Sequence, residues 1–192
     1  MQIDPLHRVI FTGPESSGKS TLAEQLAAHF SVPLVPEFAR AWILEKLART
    51  GGNCVLEDVL VIAYGQQAAE DQAAAGLAED GFLICDTDVL TIRIWSECFF
   101  GAVPSELDAM LTECRPRRRR DLYLLTDIDV PWVADGVRDR SGDRCGQMAL
   151  FRARLAEAGY RVVLVSGDRE TRRRRAIDAI ERWRAGTGEC RE

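Results

Sequence analysis

Long apolar runs are absent from this 192-residue sequence. No stretch approaches the ~20 residues that cross a bilayer as a helix, so no membrane partner is expected. The start, Met1-Gln2-Ile3-Asp4-Pro5, lacks the basic region and apolar segment of a secretory leader, and a cytoplasmic location is the expectation. Cysteine pairs at metal-ligand spacing are absent as well. The six cysteines, at 54, 85, 98, 114, 145 and 190, are scattered with no C-x-x-C, as reduced structural thiols would be, and no zinc site is expected. Net positive charge is lacking: the chain carries −5, which counts against a nucleic-acid partner. Repeats, linkers and low-complexity segments are missing too, so residues 1–192 are expected to form one domain. A hydrophobic content of 46% with 29% charged residues suits an ordinary globular core.

What is present centres on Gly13-Pro14-Glu15-Ser16-Ser17-Gly18-Lys19-Ser20-Thr21, which fits G-x-x-x-x-G-K-[ST] at every fixed position. The apolar run Arg8 to Thr12 before it reads as a buried parallel strand. Leu22, Ala23, Leu26, Ala27 and Phe30 after it recur at helical spacing. Strand, glycine loop and helix together let backbone N–H groups converge on phosphate oxygens at a helix N-terminus. Lys19 is then placed to reach the β- and γ-phosphates, and the Ser20 hydroxyl to hold Mg²⁺.

Further strands are predicted at 31–35, 82–85, 121–126 and 161–165. Helices are predicted over about 37–49, 55–78, 89–99, 104–113 and 170–184, with one more carrying Met148, Phe151 and Leu155. Short apolar strands alternating with helices predict an α/β fold, a five-stranded parallel sheet covered on both faces. With the phosphate loop after the first strand, this is the plan of a P-loop kinase. The segment 127–146, dense in Asp, Arg and Gly, is long enough to serve as a lid loop, with Arg138, Arg140 and Arg144 suited to a transferring phosphoryl group.

Ligands of such sheets sit beyond the carboxyl ends of the strands, so the polar residues there are candidates. Asp86 ends the third strand as a metal-binding carboxylate would; a turn carboxylate is the alternative. Asp88 either joins it, since i and i+2 point the same way on an extended segment, or caps the next helix. Glu37 can accept a hydroxyl proton, with Arg40 one turn later holding it or the substrate; a carboxylate in a helix's first turn is the plain alternative. Asp127 and Asp129 follow the fourth strand. Gln66 and Gln67 can hydrogen-bond a base or amide, or simply meet water. Trp132 can stack on a flat cationic ring or anchor packing. The basic runs, Arg115 with Arg117 to Arg120 and Arg172 to Arg175, lack interleaved aromatics and read as solvated helix ends.

Taken in order, G-P-E-S-S-G-K-S-T, V-P-E-F-A-R, I-C-D-T-D-x-x-T and P-W-V-x-D-G-x-R resemble the ribosylnicotinamide kinase domain at the C-terminus of bacterial NadR proteins, from about residue 7 to residue 170. The resemblance implies ATP-dependent phosphorylation of the 5′-hydroxyl of nicotinamide riboside, with Mg²⁺ at Ser20 and Asp86. It implies site roles for Glu37, Asp86 and Asp88, either of the first two being the base, and lid or substrate contacts for Trp132, Asp135 and Arg138. The adenylyltransferase signature H-x-G-H of NadR-like proteins is missing, since His7 and His29 are the only histidines. Neither a second NAD-forming step nor operator binding is therefore expected. Two other readings stay open: a kinase of the same fold for another nucleoside or nucleotide, and an ATP-binding regulatory module. The sequence leaves oligomeric state open.

Overall fold

The computed structural model describes residues 7–78, 81–115, 120–131 and 143–188. The chain starts with β1 (Arg8–Thr12), turns through the phosphate loop into α1 (Lys19–Phe30), and continues through β2 (Leu34–Val35), α2 (Phe38–Thr50) and α3 (Asp58–Ala74). There follow β3 (Leu83–Asp86), α4 (Val89–Phe100), α5 (Ser105–Cys114), β4 (Leu122–Thr126), α6 (Arg144–Ala158), β5 (Arg161–Val165) and α7 (Arg169–Gly188). The strands pair in parallel, in the order β2-β3-β1-β4-β5. All their carboxyl ends therefore point to one edge, and the residues that follow β1, β3 and β4 meet there.

β1, β3 and β4 are buried at every position, which is why they read as unbroken apolar runs instead of alternating ones. Alternate side chains feed two cores. Val9 and Phe11 pack with Leu22 and Leu26 of α1 and with Ile180 and Trp183 of α7. Ile10 and Cys85 face the other way, onto Ile94 and Trp95 of α4 and Phe151 of α6. A third cluster joins α2, α3, α4 and α5 through Ile43, Ile62, Val89 and Leu107. β5 is as apolar in sequence as the inner strands. It nevertheless lies at the sheet edge with Val162 and Leu164 partly exposed.

Two elements come out shorter than predicted. The strand expected over 31–35 keeps only Leu34 and Val35, because Ser31 adopts a left-handed conformation (φ 54°) and closes α1 through its N–H to Ala27 and Ala28 carbonyls. The long helix begins at Asp58, whose carboxylate accepts the Val55 N–H at 2.9 Å. No helix among the described residues is long and apolar enough to cross a membrane.

Arg8 carries a finding that the apolar pattern hid. It is a fully buried cation at the start of β1, and its guanidinium donates to Asp121 and Glu70, with Asp88 3.8 Å away. Burial by itself would lower the Arg8 pKa, but Asp121 and Glu70 outweigh it and hold the group well above its ordinary value. The guanidinium thus stays charged inside the protein.

Candidate active site

The phosphate loop is shaped by contacts beneath it. Gly13 has φ 136°, and a Cβ there would lie 2.8 Å from the Thr126 carbonyl oxygen, so only glycine lets β1 pass so close to the end of β4. Ser17 donates to the Pro14 carbonyl at 2.7 Å and shares a hydrogen bond of 2.6 Å with the Thr126 hydroxyl. Gly18, at φ 83°, turns the chain into α1. Lys19 Nζ donates to the Gly13 and Pro14 carbonyls at 3.0 and 2.7 Å and lies 5.9 Å from the centroid of the Trp95 ring.

Above the loop opens a cleft of about 560 Å³. Glu15 to Leu22 form one wall; Glu37 and Arg40 stand at one end, and Gln25, Val130, Pro131, Arg169 and Arg172 complete the lining. Gly13 and Pro14 are not on this lining. Ser16, Ser17, Ser20 and Thr21 are on it. Arg40 Nε is 4.0 Å from the Glu37 carboxylate, one helical turn away as the spacing predicted.

Asp86 is 5% exposed, and burial raises its pKa above the ordinary carboxylate value. The neighbouring Glu37 carboxylate pushes the same way, while the Ser20 hydroxyl, Lys19 and Arg40 oppose it. Its Oδ1 has no hydrogen-bond partner among the described residues. A buried carboxylate oxygen left open beside a hydroxyl has the chemistry to accept a cation. No group of three or more His, Cys, Asp or Glu side chains able to hold a metal occurs among the described residues. Mg²⁺ held largely by phosphates and water needs only one or two protein oxygens.

Asp88 does not join Asp86. It is fully buried, caps α4 by accepting from the Thr91 N–H and hydroxyl at 2.9 Å each, and accepts from the Tyr123 hydroxyl at 2.6 Å. The expectation that i and i+2 share a side fails because Thr87 between them takes φ 90°, a conformation a β-branched residue rarely adopts. Of the glutamines, Gln66 is buried and structural: it accepts the Phe38 N–H at 3.0 Å and donates to the Thr87 carbonyl at 3.2 Å. Gln67 is half-buried and does not line the cleft. Trp132, Asp135, Arg138 and Arg140 lie outside the described residues.

The reading of Arg172 as part of a solvated helix end is corrected. It is 4% exposed and reaches Ser17, Asp127, Asp129 and Gly167. Arg144, assigned by sequence to the lid, starts α6 and donates to the Val130 and Ser16 carbonyls at 2.9 and 3.3 Å. Asp129 serves Arg172 and the Gly167 N–H; these donors lower its pKa against the opposing effect of burial. Nothing in R-R-R-R separates Arg172 from its neighbours except its phase on α7, four residues before the buried Ala176.

A parallel sheet with a phosphate loop after its first strand and an acidic residue at the tip of the neighbouring strand defines the P-loop kinase fold. The AAA domain family matches residues 8–172, and the chain belongs to that family. It is similar to the trifunctional NAD biosynthesis/regulator protein NadR of Salmonella typhimurium, 30% identical over 176 residues, covering 90% of this chain and 42% of that one. The chain thus spans less than half of that relative's length. Among solved structures, a NadR protein in complex with NR superposes with a TM-score of 0.68 at 23% identity, over 93% of this chain and 50% of the other. Thymidylate kinase from Ehrlichia chaffeensis does so with a TM-score of 0.63 at 15% identity, over 92% and 99%. At these identities the two structures share the fold.

Proposed function

We propose that this chain transfers the γ-phosphoryl group of ATP to the 5′-hydroxyl of nicotinamide riboside, giving nicotinamide mononucleotide. One observation carries the reading: the phosphate loop and the Glu37 carboxylate line a single cleft, with the Asp86 carboxylate close to both Lys19 and Glu37. The acceptor's identity is supported by the similarity to NadR over 90% of the chain. The Glu37 carboxylate on the cleft lining, with Asp86 buried close to it, also suits a cationic pyridinium ring.

Roles follow from position. The amides of residues 15–19 bind the phosphates, and Lys19 leaves the Gly13 and Pro14 carbonyls to neutralise the transferring group. Ser20 and Asp86 fit Mg²⁺, since both are oxygen donors and Asp86 Oδ1 is open to a ligand. When bound, the ion neutralises charge on the β- and γ-phosphates. Glu37 lines the cleft and takes the hydroxyl proton as the new P–O bond forms and the bond to the bridging oxygen breaks; Arg40 orients it. Gln67, for its amide, and Trp132, Asp135 and Arg138, as the resemblance implies, are proposed as substrate or lid contacts. Cys85, Cys98, Cys114 and Cys145 are free thiols, which accords with a cytoplasmic setting.

The test is an ADP-release screen of the purified chain over a nucleoside and nucleotide panel, with Lys19→Ala as the inactive control. Turnover highest with nicotinamide riboside is expected. Equal or better turnover of another acceptor overturns the substrate, and nucleotide binding without any phosphorylated product overturns the kinase in favour of a regulatory module.

A further inference from the structure

Phosphate loops work by aiming successive amides at one point, and a loop of glycines and serines does not hold that aim unaided. In a planar trans peptide the C=O and N–H point in opposite directions. Whatever grips a carbonyl on the outside of the loop therefore fixes the amide on the inside. Two loop carbonyls are gripped here from beyond the loop: that of Ser16 accepts from Arg144 at 3.3 Å, and that of Ser17 from Arg172 at 2.6 Å.

Arg172 is the more committed of these donors. Its Nε donates to the Gly167 carbonyl at 3.0 Å, one terminal nitrogen to Ser17, and the other to the Asp127 carbonyl at 2.9 Å and to the Asp129 carboxylate. One planar fork thus joins the phosphate loop to the ends of β4 and β5. A guanidinium 4% exposed costs desolvation energy, and here it is offset by acceptors on three separate segments. Its charge also lies at the Ser17 carbonyl, where it adds to the positive potential of the α1 N-terminus.

We propose that Arg172 is a positioning residue for nucleotide binding: by drawing the Ser17 carbonyl outward it holds the Gly18 amide toward the phosphates. The inference rests on the phosphate-cradle reading above. A lysine cannot replace the fork, because its three donors radiate from one nitrogen and cannot span acceptors on three segments.

The test uses the full chain, ADP as titrant, and the variants Arg172→Lys, Arg172→Ala and Asp129→Asn. Losing a charge-assisted bond to a buried carbonyl should weaken ADP binding by about tenfold or more in both Arg172 variants. The KM for ATP should rise with it, while the KM for the acceptor stays within about twofold, the scatter of an indirect contact. Guanidinium at millimolar concentration should restore ADP affinity to Arg172→Ala, and methylammonium should not. Unchanged ADP affinity in folded Arg172→Lys, or equal losses in the KM for both substrates, overturns the proposal. If neither Arg172 variant folds, Asp129→Asn decides: it removes the carboxylate behind the fork, and ADP affinity equal to wild type overturns the proposal. A wild-type chain that fails to bind ADP sinks the cradle reading itself, which is a different outcome from wild-type binding with unaffected variants.

Discussion

Asp86 and Asp88 stand two residues apart on one segment and have opposite surroundings. Asp86 is buried beside the cleft with an oxygen that nothing in the described structure satisfies. Asp88 is buried two residues further on with both oxygens engaged, by Thr91 and by Tyr123, and it borders the Arg8–Glu70–Asp121 cluster. Equal burial therefore says little about role. The open oxygen of Asp86 is what the proposed ligand-binding role requires, and the two engaged oxygens make Asp88 a fastener between β1, β4 and α4. Thr87, held in its left-handed conformation by its own N–H to the Phe11 carbonyl and by Gln66 on its carbonyl, separates the two.

The contrast can be broken by exchanging the roles. Asp86→Asn should lower kcat by about 10²- to 10³-fold, the usual cost of removing one charge from a phosphoryl-transfer site, with the fold intact by circular dichroism. Because the Asp86 pKa is raised in the folded protein, the native state binds its proton more tightly than the unfolded chain does. Wild-type stability should therefore fall as pH rises from 3.8 through the folded pKa, and the variant should lack that fall. Urea midpoints at acidic and neutral pH would show the variant gaining on wild type as pH rises; a constant difference would place Asp86 in an unperturbed setting.

Arg8→Met should do the reverse. It strands Glu70 and Asp121 in the core, at a cost of about 3–5 kcal/mol in urea unfolding, while the folded fraction keeps its KM for ATP. A loss of under about 1 kcal/mol would mean that the carboxylates are neutral and the cluster is not ionic. Asp88→Asn should have the smallest effect, about 1–3 kcal/mol, since the amide keeps an acceptor for Thr91 but turns a donor toward Tyr123 and Arg8. A kcat loss as large as that of Asp86→Asn, without a stability loss, would return Asp88 to the site.

Much of this was legible in local pattern. The five strands, the phosphate loop with Lys19 and Ser20, and the Glu37–Arg40 spacing all depend on neighbours within a few residues, and each is found where local pattern placed it, the second strand shortened to Leu34–Val35. The misreadings share one cause. Arg8 stands in an apolar run, Asp88 reads equally as a site residue or a cap, Gln66 as a base contact or a solvated amide, and Arg172 as a solvated helix end, yet all four are buried by partners 21 to 155 residues away. Charge buried by distant partners leaves no periodic trace.

The sequence by itself settled the order of the elements and the chemistry of the loop, because helix and strand periods and the phosphate motif are short-range properties of the chain. Only the tertiary structure decided which charges are engaged within the protein. A carboxylate or guanidinium takes its role from the acceptors and donors that folding brings to it, and those come from the far ends of other strands and helices.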